Sequence, residues 1–255
     1  MTKNLARTAP CLLVNFLWIV AMMCCPAQGH AGVTPAYSRV IVPAETGEQS
    51  LQLFNVNSYP VLVQAWVDDG NIEALPQESQ APIVTLPPIF RMSEGGQQSL
   101  RLVQGENDLP RDRESLFWLN LYEIPETPTH SPTDEQAVVV TMRTQYKVFV
   151  RPSTLPFPAQ ELPDRLKLSA KSAEGKVTLT IDNATPYYAT ISGVEMRHKE
   201  TAETGNVDMI EPFSSGHMSF ETIDAPPGDS VNVTFALLDD DGNPQIGTRN
   251  LKIGK

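Results

Sequence analysis

Apolar and polar residues alternate in short runs along most of this chain. Ser50 to Val56 and Pro60 to Val67 flank Asn57-Ser58-Tyr59, and Ser99 to Val103, Leu116 to Tyr122 and Ala137 to Val150 continue the series. It resumes at Leu166 to Ala170, Lys176 to Ile181, Tyr188 to Glu195, Met218 to Glu221, Ser230 to Leu237 and Gln245 to Lys252. Side chains repeat every second residue along a strand, so this pattern predicts strands. A helical period is not sustained outside the first thirty residues. The expected fold is all-β, with each half of about 100 residues matching one immunoglobulin-like sandwich.

Punctuation divides the chain. Pro152, Pro156, Pro158 and Pro163 lie close together. Fixed φ angles make such a run a stiff, extended connector that no central strand could cross. We therefore expect an N-terminal sandwich over 32–152 and a C-terminal one over 153–255. Residues 1–31 read as a removable secretory signal: Lys3 and Arg7 start it, Cys11 to Cys25 is almost wholly apolar, and small residues at Gly29 and Ala31 offer cleavage sites. A membrane anchor is the weaker reading, because the run is shorter than the roughly 20 residues a span needs and Asn15 interrupts it.

Composition narrows the chemistry. All three cysteines (Cys11, Cys24, Cys25) lie in that leader, so the exported chain has no thiol for a disulfide, a Cys-based zinc site or a nucleophile. Net charge is −11 with no Lys/Arg cluster, which argues against a nucleic-acid partner. His130, His198 and His217 lack ligand spacing, and no nucleophile elbow or nucleotide fingerprint occurs. No cofactor, no metal, no membrane insertion and no enzymatic activity are expected. Asp239-Asp240-Asp241-Gly242-Asn243 fails the calcium-loop pattern and reads as a turn between strands. Leu86-Pro87-Pro88-Ile89 reads as an inter-strand loop with a cis proline. Trp66 and Trp118 fall on strand patterns and are expected in the core.

The stretch from Ala137 to Val150 is unusual. At 3.3 Å per residue it would extend roughly 45 Å, more than a small sandwich needs. A proline-rich polar loop, Pro125 to Glu135, precedes it. Val138, Val140 and Met142 share one face and Val139, Thr141 and Arg143 the other. A long apolar strand at a sheet edge is an aggregation hazard unless something covers it. The first set either faces this domain's own core or is offered to a partner's incomplete one.

Several segments, in order, carry a resemblance: Tyr37-Ser-Arg-Val-Ile-Val42, Pro60-Val-Leu-Val-Gln-Ala-Trp-Val67, Asp112-Arg-Glu-Ser-Leu-Phe-Trp-Leu-Asn-Leu-Tyr-Glu-Ile-Pro125, Tyr146-Lys-Val-Phe-Val-Arg-Pro152 and Asn183-Ala-Thr-Pro-Tyr-Tyr188. The chain resembles the periplasmic pilus-assembly chaperones of the chaperone–usher pathway. The resemblance implies two immunoglobulin-like domains in a boomerang arrangement. It also implies strand donation to pilin subunits and delivery to an outer-membrane usher, and leaves open a self-capping dimer when free. It implies that Arg39 and Lys147 anchor the pilin C-terminal carboxylate, that Val138, Val140 and Met142 fill the pilin groove, and that Glu114, Arg151 and Asp240 form an interdomain ionic cluster. Met142 and Lys147 would face opposite ways in a flat strand, so a bulge or strong twist is expected between them. The alternative is an exported immunoglobulin-like adhesion or carbohydrate-binding module, with binding residues on end loops.

Overall fold

A computed structural model describes residues 32–126, 140–173 and 175–254. Its strands are β1 (Val33–Pro35), β2 (Arg39–Pro43), β3 (Glu48–Asn55), β4 (Val61–Asp68), β5 (Ile83–Leu86), β6 (Ile89–Met92), β7 (Gln97–Gln104), β8 (Ser115–Pro125), β9 (Met142–Arg151), β10 (Lys167–Ala173), β11 (Lys176–Asn183), β12 (Ile191–His198), β13 (Thr201–Gly205), β14 (Ser214–Phe220), β15 (Ser230–Leu238) and β16 (Pro244–Gly254). The architecture is all-β, in two sandwiches.

In the first, a four-stranded sheet ordered β1-β3-β7-β5 faces a five-stranded sheet ordered β2-β9-β8-β4-β6. The alternating positions explain why they stack. Leu51 and Leu53 of β3, Leu100 and Leu102 of β7, Val61 and Val63 of β4, Leu119 and Leu121 of β8 and Val148 and Val150 of β9 are all buried between the layers. Each such side chain stabilises the packed state by about 1.5–3 kcal/mol. In the second, β13-β12-β15-β16 folds against β10-β11-β14, and a short parallel pairing of β10 with β16 joins the two halves. Its separate core contains Leu179, Ile181, Met196, Val233 and Phe235.

Both sandwiches use the same device at the end of one strand, β3 in the first and β11 in the second. The Asn55 side-chain amide donates to the carbonyls of Tyr59 (3.0 Å) and Ser93 (2.9 Å). The Asn183 amide donates to those of Tyr187 (2.7 Å) and Glu211 (2.9 Å). Each asparagine sits at the end of its strand and satisfies buried carbonyls that the sheet ladder cannot reach.

Two expectations need correction. The proline-rich connector is not extended throughout: a 3₁₀ turn at Ala159–Glu161 leads into one helical turn, α1 (Leu162–Arg165). Pro158 caps the first and Pro163 opens the second, positions where a missing N–H costs nothing. No bulge separates Met142 from Lys147. The β8–β9 register runs unbroken from Ser115 opposite Val150 to Glu123 opposite Met142. The register shift falls instead in β12, between Ile191 and Gly193. It re-phases that strand so that both Ile191 and Val194 reach the core. Short strands β1, β5, β6 and β13 carry too few residues to show a period and are not read from the sequence pattern. The Leu86-Pro87 bond is cis and links β5 to β6. No helix among the described residues is long and apolar enough to cross a membrane. The leader with its candidate cleavage sites, Val138 and most of the proline-rich loop lie outside the described residues.

Candidate functional site

Strand β9 positions most of the expected residues. Its neighbours are β8 on one side and, in parallel, β2 on the other. The β2 pairing begins at Arg39 opposite Lys147 and ends at Pro43 opposite Arg151. Among the described residues, Met142 to Tyr146 therefore pairs with β8 alone, and its outer backbone edge is open. Val140 is 72% exposed and Met142 42%, so neither side chain is sealed inside the sandwich. Val138 cannot be placed beside them, because it lies outside the described residues.

Two cations stand where the open edge ends. Arg39 and Lys147 are directly opposite in register and share the outer face of the sheet, since their neighbours Val40 and Val148 point into the core. The Lys147 ammonium lies 5.5 Å from the Trp118 ring centre, and the Arg39 guanidinium 5.8 Å from that of Phe149. Arg39 is only 7% exposed. Its Nη1 donates a 3.3 Å bond to the Leu238 carbonyl, while its buried Nε has no partner. Among the described residues, no carboxylate pairs with either cation. Burial lowers the Lys147 pKa, and the adjacent Arg39 charge lowers it further. Burial also lowers that of Arg39, against the opposing pull of Asp240, Asp239 and Glu114. Two partly desolvated, mutually repelling cations would be relieved by a carboxylate placed between them.

Four residues further along β9, Arg151 links the sandwiches. Its Nε donates to Glu114 Oε1 at 2.7 Å, and its Nη1 and Nη2 donate to the two oxygens of Asp240 at 2.6 Å each. Asp240 lies in the turn between β15 and β16, and no neighbouring aspartate substitutes for it: Asp239 instead accepts the backbone N–H groups of Asp241 and Asn243. The other Glu114 oxygen accepts the Tyr188 N–H at 2.8 Å, and the Glu114 N–H donates to the Pro186 carbonyl. A cavity of about 160 Å³ lies here, with Arg39, Glu114, Arg151, Tyr187 and Asp240 among its walls.

Family comparisons agree with the two-sandwich fold. The family model described as "Pili and flagellar-assembly chaperone, PapD N-terminal domain" matches residues 32–156, and "Pili assembly chaperone PapD, C-terminal domain" matches 161–248. The chain belongs to the PapD family of pilus-assembly chaperones. Similar proteins include the probable fimbrial chaperone YadV of Escherichia coli K12, 30% identical over 92% of this chain and 96% of that one. Chaperone protein HifB of Haemophilus influenzae is 33% identical over 88% of this chain and 89% of its own. Among solved structures, the YadV chaperone superposes with a TM-score of 0.73 at 27% identity, covering 87% of this chain and all of that one. The Pseudomonas aeruginosa CupB2 chaperone gives 0.69 at 30% identity, covering 86% of this chain and all of that one. These matches support a fimbrial chaperone and do not favour an adhesion or carbohydrate-binding module.

In this chaperone the tryptophans depart from expectation. Trp66 and Trp118 are not core residues; strand phase puts them on the outer face, because Ala65, Val67, Phe117 and Leu119 take the inner positions. There they carry cations. The Arg143 guanidinium lies 4.7 Å from the Trp66 ring centre and pairs with the buried Asp68 carboxylate at 3.0 Å. Arg143 also donates to Asn120 Oδ1 (2.8 Å) and to the carbonyls of Ile72 (2.6 Å) and Ala74 (3.2 Å). It thereby clamps the loop after β4 to the beginning of β9. Sequence reasoning passed over Asp68, Asn120 and Arg143. The available signal was polar residues at alternate positions inside two strongly apolar strands.

Proposed function

We propose that this chaperone works in the periplasm. There it binds pilus subunits by lending them the start of β9, and it passes them to an outer-membrane usher. Val138, Val140 and Met142 would enter the subunit's groove while the open backbone edge from Met142 supplies strand hydrogen bonds. Arg39 would grip the subunit's C-terminal carboxylate as a fork and Lys147 would add a point charge. Three buried side chains contribute roughly 5–9 kcal/mol before ordering costs, enough to hold a subunit without chemistry or cofactor. Glu114, Arg151 and Asp240 would fix the angle between the sandwiches, so that the cleft presents both cations together. When free, the protein can cap its edge by pairing with a second copy.

The observation that carries this reading is the coincidence, among the described residues, of an unpaired strand edge, exposed apolar side chains on it and two cations without a carboxylate partner at its end. Pull-down of a co-expressed subunit with Lys147→Ala or Arg39→Glu tests it. Loss of the subunit is expected. Full retention by both variants would show that the cleft does not hold the carboxylate.

A further inference from the structure

Three carboxylates are buried in the first sandwich and at its junction with the second. Asp68 is met by Arg143 and Glu114 by Arg151. The third, Glu123, is 3% exposed and meets no cation among the described residues. Its Oε1 accepts the Val33 N–H at 2.8 Å and its Oε2 a 3.3 Å bond from the Asn57 amide. Two neutral donors leave a desolvated charge largely uncompensated, and buried carboxylates in stable proteins are paired.

Gly32 lies against this carboxylate. A Cβ there would collide with it, reaching 2.6 Å from Oε2, and the φ angle of +42° is one that side chains disfavour. The Gly32 carbonyl is held by the Val56 N–H at 3.1 Å. Its nitrogen is thus one bond from the carbon on which Glu123 packs, and in a chain beginning at Gly32 that nitrogen is an ammonium. The preceding residues Gly29-His30-Ala31 place small side chains one and three positions before the Ala31–Gly32 bond.

We propose that a signal peptidase hydrolyses the Ala31–Gly32 bond and that the new α-ammonium of Gly32 is the missing cation of Glu123. Water adds across the amide, leaving a carboxylate on Ala31 and the ammonium on Gly32. Glu123 stands on β8 opposite Met142, the first residue of the open edge. Val33 begins β1 in the other sheet. The ion pair therefore ties the two sheets together where the lent strand starts, and processing completes the sandwich at the point of subunit capture.

The cleavage step rests on the export reading; the ammonium seat does not. Intact mass of exported protein should show Gly32 as first residue, and any other N terminus overturns the cleavage site. The seat is tested on the chain released at Gly32 from a fusion, whether or not export occurs. An ordinary α-amino group titrates near 7.7–8.0. Here the amine should titrate at least one unit higher by pH-dependent acylation, reacting about fivefold more slowly at pH 8. Glu123→Gln, which keeps the size and one acceptor oxygen but removes the charge, should restore ordinary reactivity. A second measurement needs no variant. A base whose folded pKa is raised contributes stability below its unfolded pKa and loses it as pH rises through the folded one. Wild-type melting temperature should therefore fall between pH 8 and 10, and chains carbamylated at the N terminus should start lower and show less of that fall. Equal amine titration in wild type and Glu123→Gln, or identical melting profiles with and without carbamylation, would overturn the seat.

Discussion

Replacing Arg151 by alanine removes the one cation that, among the described residues, meets the Glu114 carboxylate. That side chain is 2% exposed, and without Arg151 it keeps one charge-stabilising donor, the Tyr188 N–H at 2.8 Å. Asp240 is partly exposed and can rewet, so its share of the loss is small. Leaving one buried charge unpaired costs about 3–5 kcal/mol. The pH dependence follows from the sign of the shift. Burial pushes the Glu114 carboxyl above its ordinary value, against the pull of Arg151 and the Tyr188 N–H. In Arg151→Ala it rises further. A carboxyl with a raised folded pKa binds its proton more tightly in the folded state, so the penalty for burying its charge is full above that pKa and fades as pH falls through it. The deficit relative to wild type should be largest at pH 8 and shrink toward pH 5, by at most about 1.4 kcal/mol per pH unit for one proton. Urea unfolding of both proteins at pH 5, 6.5 and 8, followed by Trp66 and Trp118 fluorescence, measures it. Adding Glu114→Gln to Arg151→Ala should recover most of the loss at pH 8 and abolish the pH dependence. A loss below about 1 kcal/mol at pH 8, or one equal at all three values, would refute the view that Glu114 is desolvated and held ionised by Arg151.

Val140→Ser and Met142→Ser should each weaken subunit binding by roughly 1.5–3 kcal/mol, about 10- to 100-fold in Kd. Their melting temperatures should stay at the wild-type value, because both side chains are exposed in the free protein. Calorimetry on the two variants, with and without subunit, separates those outcomes. Asn183→Ala strands the carbonyls of Tyr187 and Glu211 in the second sandwich. It should cost about 2–4 kcal/mol by differential scanning calorimetry, while subunit binding by the surviving folded fraction stays at the wild-type level.

Legibility in the sequence followed the physics of each feature. Long strands with one buried face announce themselves by alternation, as β4, β8, β11 and β15 do. β12 was misplaced at its start because its bulge breaks the alternation on which the reading depends. Trp66 and Trp118 misled because size suggests a core position, whereas strand phase sends each to the outer face beside a cation. Glu123 gave no local signal at all. Its burial depends on Gly32 and Asn57 arriving from distant parts of the chain, which no spacing along β8 reveals.

If β9 lends its open edge to a subunit as proposed, the cations at the end of that edge set which way the partner strand runs. Because its register with β8 is unbroken, Met142, Thr144, Tyr146, Val148 and Val150 share one face and Arg143, Gln145, Lys147 and Phe149 the other. β2 occupies the edge beside Lys147 to Arg151, running parallel to β9 from Arg39. A strand added beside Met142 to Tyr146 must stop where β2 begins, so one of its ends meets Arg39 and Lys147. If it ran antiparallel to β9, that end would be N-terminal, and an ammonium would face two cations already lowered in pKa by burial and, for Lys147, by mutual repulsion. If it ran parallel, the end would be a carboxylate. Parallel pairing is slightly weaker per residue than antiparallel, but a desolvated charge-assisted contact outweighs so small a difference. The ladder geometry leaves the direction open; the cation pair at its end decides it.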